Sequence, residues 1–115
     1  MIIVVEGTKN FSDYETFMRA MGVAFSEIKN EEPIEVWSVG PHNINNFTAA
    51  FCNSVENYLR LKGHKISFKK LPYSKVIDKM SSIDYFAFFS KKNEKNSKLL
   101  ASAELSGVEI GIFKA

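Results

Sequence analysis

Apolar residues along the chain occur either in short uninterrupted runs or in longer stretches with helical spacing. Residues 2–5 are a run of β-branched side chains without polar alternation, which is typical of a strand covered on both faces. Residues 34–39 are predicted as a second strand that ends at Gly40-Pro41, and residues 83–89 are the most apolar predicted strand of the chain. Residues 65–71 alternate apolar and polar positions, as in a strand near a sheet edge, and residues 108–113 close the series. The pattern therefore predicts five strands.

The segments after the first two strands carry apolar residues every three or four positions, which predicts amphipathic helices. Ser12 with Glu15 has the pattern of a capping box. Asn45 or Asn46 can cap the second helix, and Gly63 stands where a left-handed C-terminal cap is expected. The periodic positions are Tyr14, Phe17, Met18, Met21, Phe25 and Ile28 in the first helix and Phe47, Phe51, Val55, Tyr58 and Leu59 in the second.

Strands and helices alternate along the whole chain. A short helix around residues 74–80 and a helix through Leu99, Leu100 and Ala103 separate the last three strands. This alternation indicates a mostly parallel sheet with helices on both faces, and right-handed crossovers leave strand order 3-2-1-4-5 or 2-1-3-4-5. We favour the first, Rossmann-like order because it places residues 83–89 centrally and the lysines of 65–71 at an edge. The sequence thus predicts one α/β domain over residues 1–115, a Rossmann-like three-layer sandwich with five mostly parallel strands.

Composition excludes several classes of function. The 115 residues are 45% hydrophobic and 24% charged, which predicts one globular domain with a substantial core. Fifteen Lys and Arg against thirteen Asp and Glu leave a formal charge of +2, so composition gives no reason to expect direct DNA binding. No stretch approaches the roughly 18 apolar residues of a membrane span, and the first residues lack a secretory signal pattern. We therefore expect a cytoplasmic protein without a membrane partner.

The chain carries no standard catalytic or metal-binding motif. Cys52 is the single cysteine, and His42 and His64 are far apart in sequence, so no Cys/His metal cluster is expected. Phosphate-binding P-loop, GxGxxG, HExxH and GxSxG patterns are missing from the sequence. Cys52 lies mid-helix beside the apolar stripe, and Ser12 and Ser90 lack an evident base. We expect no catalytic residue, no metal and no cofactor, and a protein that is not an enzyme.

A ligand of such a fold would bind beyond the carboxyl ends of the strands, where the strand order reverses. In the order 3-2-1-4-5 this crevice lies between the first and fourth strands, and the lysines Lys9, Lys91 and Lys92 converge there. The second helix has no acid before Glu56, so its N-terminus is open to an anion. The candidate ligand-binding residues are Gly7, Thr8, Lys9, Asn10, Gly40, His42, Asn43, Asn45, Ser90 and Lys91.

Each candidate also has a purely structural explanation. Glycine permits tight turns, asparagine is common in turns and caps, and exposed lysines are usually solvated. His42 is the only imidazole at this end and has no acidic partner in sequence. Glu6 can receive a ribose hydroxyl or a magnesium ion, or it can pair with Lys9. The sequence leaves both interpretations of the crevice open.

Residues 5–14, Val-Glu-Gly-Thr-Lys-Asn-Phe-Ser-Asp-Tyr, resemble the first-strand signature of the SLOG superfamily of Rossmann-like nucleotide-binding domains. Thr8, Lys9 and Phe11 match the hydroxyl, basic and aromatic positions of its Gly-Ser-Arg-x-Phe type of loop. The glycine-rich second motif of that family falls on residues 40–47, where only Gly40 is kept and asparagine replaces the acid. The resemblance implies a nucleotide-binding scaffold whose phosphate loop is degenerate.

In length and overall character the chain also resembles small bacteriophage accessory proteins that modify a host aminoacyl-tRNA synthetase. This resemblance implies a host protein partner, valyl-tRNA synthetase with tRNA, and an action in the host cytoplasm. The first hypothesis is therefore an accessory binding protein on a degenerate nucleotide-binding scaffold. The alternative is binding or hydrolysis of a nucleotide or phosphosugar at the carboxyl ends of the strands.

Overall fold

Five strands form one sheet in the computed structural model, which describes residues 1–26 and 32–115. They are β1 (Ile2–Gly7), β2 (Ile34–Gly40), β3 (Ile66–Lys70), β4 (Tyr85–Ser90) and β5 (Glu109–Lys114). Their order in space is β3-β2-β1-β4-β5, and every neighbouring pair is parallel. The predicted α/β class, the Rossmann-like architecture and the strand order 3-2-1-4-5 are confirmed.

Helices cover both faces of the sheet. Their bounds are α1 (Tyr14–Phe25), α2 (His42–Leu61), α3 (Tyr73–Asp78), a 3₁₀ turn (Met80–Ser82) and α4 (Lys98–Leu105). Helices α1 and α2 bury apolar side chains against one face, and α3 and α4 bury theirs against the other. Ile3 and Val5 of β1 point to the first cluster and Val4 to the second, as the two-residue period of a strand requires. Within the described residues, no helix combines the length and hydropathy needed to cross a membrane.

The position of each strand explains its composition. All six residues of β4 are buried, because β1 and β5 flank the strand and helices cover both of its faces. Strand β3 lies at the edge of the sheet and exposes Lys69 and Lys70. The predicted edge position of this segment is therefore confirmed. Charged side chains at such an edge discourage pairing with a further strand.

The first residues of α1 correct the predicted capping box. Asp13 is the N-cap, and its carboxylate accepts hydrogen bonds from the Thr16 backbone N–H at 3.0 Å and from the Thr16 hydroxyl at 2.8 Å. The prediction of Ser12 with Glu15 was therefore wrong by one residue, because the aspartate side chain satisfies the free donors of the first turn. Ile28, predicted on the inner face of this helix, lies outside the described residues.

The start of α2 also differs from the prediction. The helix begins at His42 after Pro41, and not at Asn45 or Asn46. The Asn45 side chain accepts a hydrogen bond from the Ser38 hydroxyl at 2.5 Å, so it serves a contact with β2 instead of a cap. Gly63 adopts a φ of 85°, and the predicted left-handed cap is confirmed.

Fewer apolar positions of the two long helices are buried than their periodicity predicts. Met18 of α1 is 45% exposed and Tyr58 of α2 is 58% exposed. The other periodic positions of the described residues are buried or pack against the core cluster on this face of the sheet. A curved sheet surface covers only part of each helix, so the outermost apolar positions stay in contact with solvent.

Candidate functional site

Strand order reverses between β1 and β4, and the loops that follow these strands meet there. The Thr8 backbone N–H donates to the Phe89 carbonyl at 2.9 Å. A Cβ atom at Gly7 would lie 2.7 Å from the Phe89 oxygen and 2.6 Å from Cδ1 of Ile44. Gly7 therefore lets the end of β1 approach β4 and α2 more closely than any other residue would allow.

Two sets of contacts hold the loop after β1 in place. Phe11 is buried, and the centroid of its ring lies 5.3 Å from the centroid of the Phe89 ring. The side-chain amide of Asn43, in the first turn of α2, donates to the carbonyls of Thr8 at 3.1 Å and Phe11 at 2.8 Å. Asn43 thus holds loop backbone, and its amide donor is already in use.

Glu94, in the loop after β4, places its carboxylate in this crevice. One carboxylate oxygen accepts from the Thr8 hydroxyl at 2.6 Å and from the Lys91 backbone N–H at 2.7 Å, and the other accepts from the Asn10 amide at 3.2 Å. The Thr8 hydroxyl first, and then the Lys91 N–H, lower the pKa of Glu94. The protein's own carboxylate thus takes the place that an anionic ligand would be expected to take.

The same loop is fastened at two further points. The Lys114 ammonium group, at the end of β5, donates to the Glu94 carbonyl at 2.7 Å. Ser97 caps α4 by accepting from the Leu100 N–H at 3.0 Å, and its hydroxyl donates to Glu6. Burial raises the pKa of Glu6, and the Ser97 hydrogen bond partly opposes this effect. Glu6 therefore pairs with Ser97, and no ion pair with Lys9 is present within the described residues.

Five of the ten predicted ligand-binding residues belong to this arrangement. Thr8, Asn10 and Lys91 converge on Glu94, whereas Gly7 and Asn43 shape the loop that presents them. Lys91 donates its backbone N–H, and Asn43 donates to the backbone carbonyls of Thr8 and Phe11, and contacts of this kind with the backbone are not visible in the residue types.

The other five are not joined to Glu94 by any contact in the described part of the chain. Gly40 takes a φ of 100° at the junction of β2 and α2, where a side chain would strain the backbone. His42 is exposed and lies 3.3 Å from the amide of Asn46, and Asn45 is engaged by Ser38. Lys9 is exposed, and Ser90 is fully buried, with no partner for its hydroxyl among the residues that the structure describes.

Sequence reasoning missed Glu94 and Ser97. Glu94 is the single acid among the lysines of residues 91–98, which is the one signal that could have singled it out. Ser97 precedes a helical apolar pair, as an N-cap does. Neither signal indicates the long-range partners, since Glu94 reaches Thr8 across 86 residues of sequence.

Burial limits the reactivity of Cys52, the single cysteine of the chain. Burial raises the pKa of the Cys52 thiol to about 12, so the reactive thiolate is scarce at neutral pH. Among the described residues, no three His, Cys, Asp or Glu side chains are grouped as metal ligands.

Three surface depressions lie elsewhere. One of about 420 Å³ is lined by apolar residues of α1 and α2, one of about 260 Å³ lies beside Phe113, and one of about 240 Å³ adjoins the start of β3.

Comparison of the chain with protein-family models, with curated proteins and with solved structures gave no match. The resemblances to SLOG domains and to phage modifiers of synthetases therefore stay predictions.

Proposed function

We propose that this protein is a phage-type accessory binding protein, which binds and modulates a host protein through its surface and is not an enzyme. The observation that carries the proposal is the Glu94 carboxylate in the crevice. Its bonds to Thr8, Asn10 and Lys91 use the donors that would hold a substrate anion in this fold.

The energetics of the crevice support a binding role. A ligand that enters must displace a carboxylate that already accepts hydrogen bonds from three donors. The loop that carries Glu94 is also tied to β5 and, through Ser97, to β1. An open catalytic site would keep these donors free for the charge that develops in a transition state.

The partner that we propose is an aminoacyl-tRNA synthetase, and valyl-tRNA synthetase in particular, with tRNA as a further component. The support for this choice is the resemblance of the chain in length and overall character to phage modifiers of this enzyme. A Rossmann-like scaffold with an occupied crevice is compatible with such a role, because the fold alone does not determine function.

The decisive experiment is a binding measurement with purified components. Valyl-tRNA synthetase, with and without its tRNA, is titrated with this protein by size-exclusion chromatography and calorimetry, and isoleucyl-tRNA synthetase serves as the matched control. We expect a defined complex with valyl-tRNA synthetase alone. No complex with either enzyme at micromolar concentrations would refute the proposed partner.

A second candidate function is supported by the same donors. If a nucleotide or phosphosugar displaces Glu94, its phosphate can take the hydrogen bonds of Thr8, Asn10 and Lys91, with Lys9 nearby in sequence. Thermal unfolding is measured with a panel of phosphate compounds for the natural protein and for Glu94→Ala, and Glu104→Ala is the control for loss of an exposed acid.

A ligand at 100 times its dissociation constant stabilises the fold by about 2.7 kcal/mol, which thermal unfolding detects easily. Stabilisation of Glu94→Ala alone would mean that Glu94 blocks a formed phosphate site. No stabilisation of either protein would remove this candidate. In a protein that does bind, Lys91→Glu is expected to weaken the ligand more than tenfold and Lys69→Glu to change little, because Lys69 lies at the sheet edge.

A further inference from the structure

The net charge of the whole chain is small, but positive and negative residues are distributed unevenly along it. Residues 60–79 contain seven of the fifteen Lys and Arg residues and one of the thirteen acids. Their formal charge is therefore +6, and the rest of the chain carries −4. The low total was the reason not to expect nucleic acid, whereas a local excess of this size is what a phosphate-binding surface requires.

These seven cations belong to consecutive elements around the edge strand β3. They come from the end of α2, from β3 with its flanking residues, and from α3, and β3 is an edge strand. All seven are exposed. At about 3.3 Å per residue, the segment 65–70 spans roughly 16 Å, which is the axial length of about five stacked nucleotides at ~3.4 Å each. We call this surface the basic edge: Arg60, Lys62, Lys65, Lys69, Lys70, Lys75 and Lys79.

Most of the basic edge is not neutralised by the protein. Within the described residues, Lys69 alone has a carboxylate partner, Glu35 at 3.1 Å. The ammonium groups of Lys62 and Lys79 lie over the rings of Tyr58 and Trp37, at 4.8 and 5.7 Å from the centroids. Unpaired cations keep their full attraction for an external polyanion, which releases counterions when it binds.

Two further features point to a polynucleotide. A depression of about 240 Å³ at the start of the edge is lined by Arg60, His64 and Lys65, together with Glu56 and Ile66. Tyr73, which is 44% exposed, is the first residue of α3 and lies between Lys70 and Lys75 in the chain. Exposed aromatic rings beside a positively charged track are the platforms on which unpaired bases stack.

We propose that the basic edge binds a single-stranded polynucleotide, with its cations on the backbone phosphates and Tyr73 stacked on a base. A duplex fits less well, because α2 and α3 are packed on the sheet and no helix of the described residues is free to enter a groove. Lysine predominates over arginine on the edge, which favours phosphate contact over base reading. The interaction is therefore independent of sequence and of the sugar.

The test is fluorescence anisotropy with a labelled 12-nucleotide oligouridylate and the matching oligothymidylate, at 50 and 200 mM salt, using the isolated full chain. We expect the two oligonucleotides to bind with affinities within about threefold of each other, at dissociation constants of order 10⁻⁶–10⁻⁴ M. Lys65→Glu with Lys70→Glu should weaken binding more than tenfold. The slope of log affinity against log salt should fall by about 1.4, at ~0.7 for each phosphate contact that is lost.

The matched control is Lys95→Glu with Lys98→Glu, which changes the net charge equally at exposed positions away from the edge and should alter binding less than threefold. Tyr73→Ala should weaken binding about fivefold or more, and Tyr73→Phe should restore it. Circular dichroism verifies that each variant is folded. Equal losses in the two charge variants, no binding at 50 mM salt, or tighter binding to duplex or to vesicles with phosphatidylglycerol would overturn the proposal. The result does not depend on the proposed synthetase partner, because the binding assay contains no synthetase.

Discussion

The crevice at the carboxyl ends of β1 and β4 and the basic edge around β3 both gather groups that attract anions, but the protein treats them differently. At the crevice, Glu94 accepts three hydrogen bonds and the loops are tied together. Along the edge, one cation in seven has a carboxylate partner within the described residues. At the position that topology marks as a binding site, Glu94 thus engages the donors of Thr8, Asn10 and the Lys91 N–H, whereas most cations of the basic edge have no carboxylate partner within the described residues.

Geometry accounts for the difference. The loops after two adjacent parallel strands end at the same place, so an acid in one of them can reach the donors of the other. An edge strand has a neighbour on one side only, and Lys69 and Lys70 extend from it into solvent. Edge lysines also protect against unwanted strand pairing, so their presence has a structural benefit with or without a ligand. The comparison can be tested by changes that affect one region at a time.

The largest change in stability is expected at Gly7, where the end of β1 lies close to β4 and α2. Gly7→Ala places a Cβ 2.7 Å from the backbone oxygen of Phe89, and this atom cannot move without shifting β4. We expect the free energy of unfolding to fall by about 1–3 kcal/mol. Gly22→Ala is the control, because nothing lies within 4 Å of a Cβ there and alanine favours the helix by up to ~1 kcal/mol. Urea denaturation measures both, and equal stability of the two variants would contradict the close-approach argument.

The second largest change in the free energy of unfolding is expected in the loop after β1. Asn43→Ala removes the donor to the Thr8 and Phe11 carbonyls and is expected to lower the free energy of unfolding by about 1–2 kcal/mol. Asn46→Ala, at an exposed position that contacts only His42 through its side chain among the described contacts, should change it by less than about 0.5 kcal/mol. Hydrogen exchange should show faster opening of residues 8–13 in the Asn43 variant alone. Unchanged protection there would mean that Asn43 does not hold the loop.

The two acids of the crevice should respond to pH in opposite ways. The folded-state pKa of Glu94 is lowered, so the stability that its charged form contributes is present above pH 4.5 and is lost as pH falls through the folded value. The folded-state pKa of Glu6 is raised, so stability declines as pH rises from 4.5 through the folded value. Glu94→Gln should therefore be less stable than the natural protein at pH 7, and Glu6→Gln at least as stable.

Chemical denaturation at pH 3, 5 and 7 measures these differences. Both differences in stability should narrow as the pH falls through the folded-state pKa of each natural carboxyl group. A Glu94→Gln protein that is as stable as the natural one at pH 7 would show that the carboxylate charge does not hold the two loops together.

The smallest effect is expected at the edge. Lys69→Ala removes an exposed ion pair with Glu35 and should lower the free energy of unfolding by less than about 1 kcal/mol, with a smaller change in 0.5 M salt. Lys70→Ala has no ion pair to lose within the described residues and is the control. A large loss for either variant would mean that the basic edge is needed for folding, and it would weaken its assignment to a ligand.

Much of the fold follows from local sequence patterns. The all-apolar β4 and the lysine-bearing β3 differ enough in composition to place one strand in the centre and the other at the edge. Helix starts were less predictable, because Asp13 and Ser12 are adjacent and both can cap, and because Asn45 uses its side chain for Ser38. Which side chain caps a helix therefore depends on the hydrogen-bond donors that lie near it in the folded chain.

The sequence by itself determined the order of strands and helices and the location of the crevice, because apolar periodicity is encoded in neighbouring residues and parallel strands end together. Only the tertiary structure decided what occupies the crevice. The Glu94 carboxylate meets Thr8 across 86 residues, and no local pattern marks such a contact. The same holds for the basic edge: its cations are visible in the sequence, but only the structure shows that six of the seven have no carboxylate partner within the described residues.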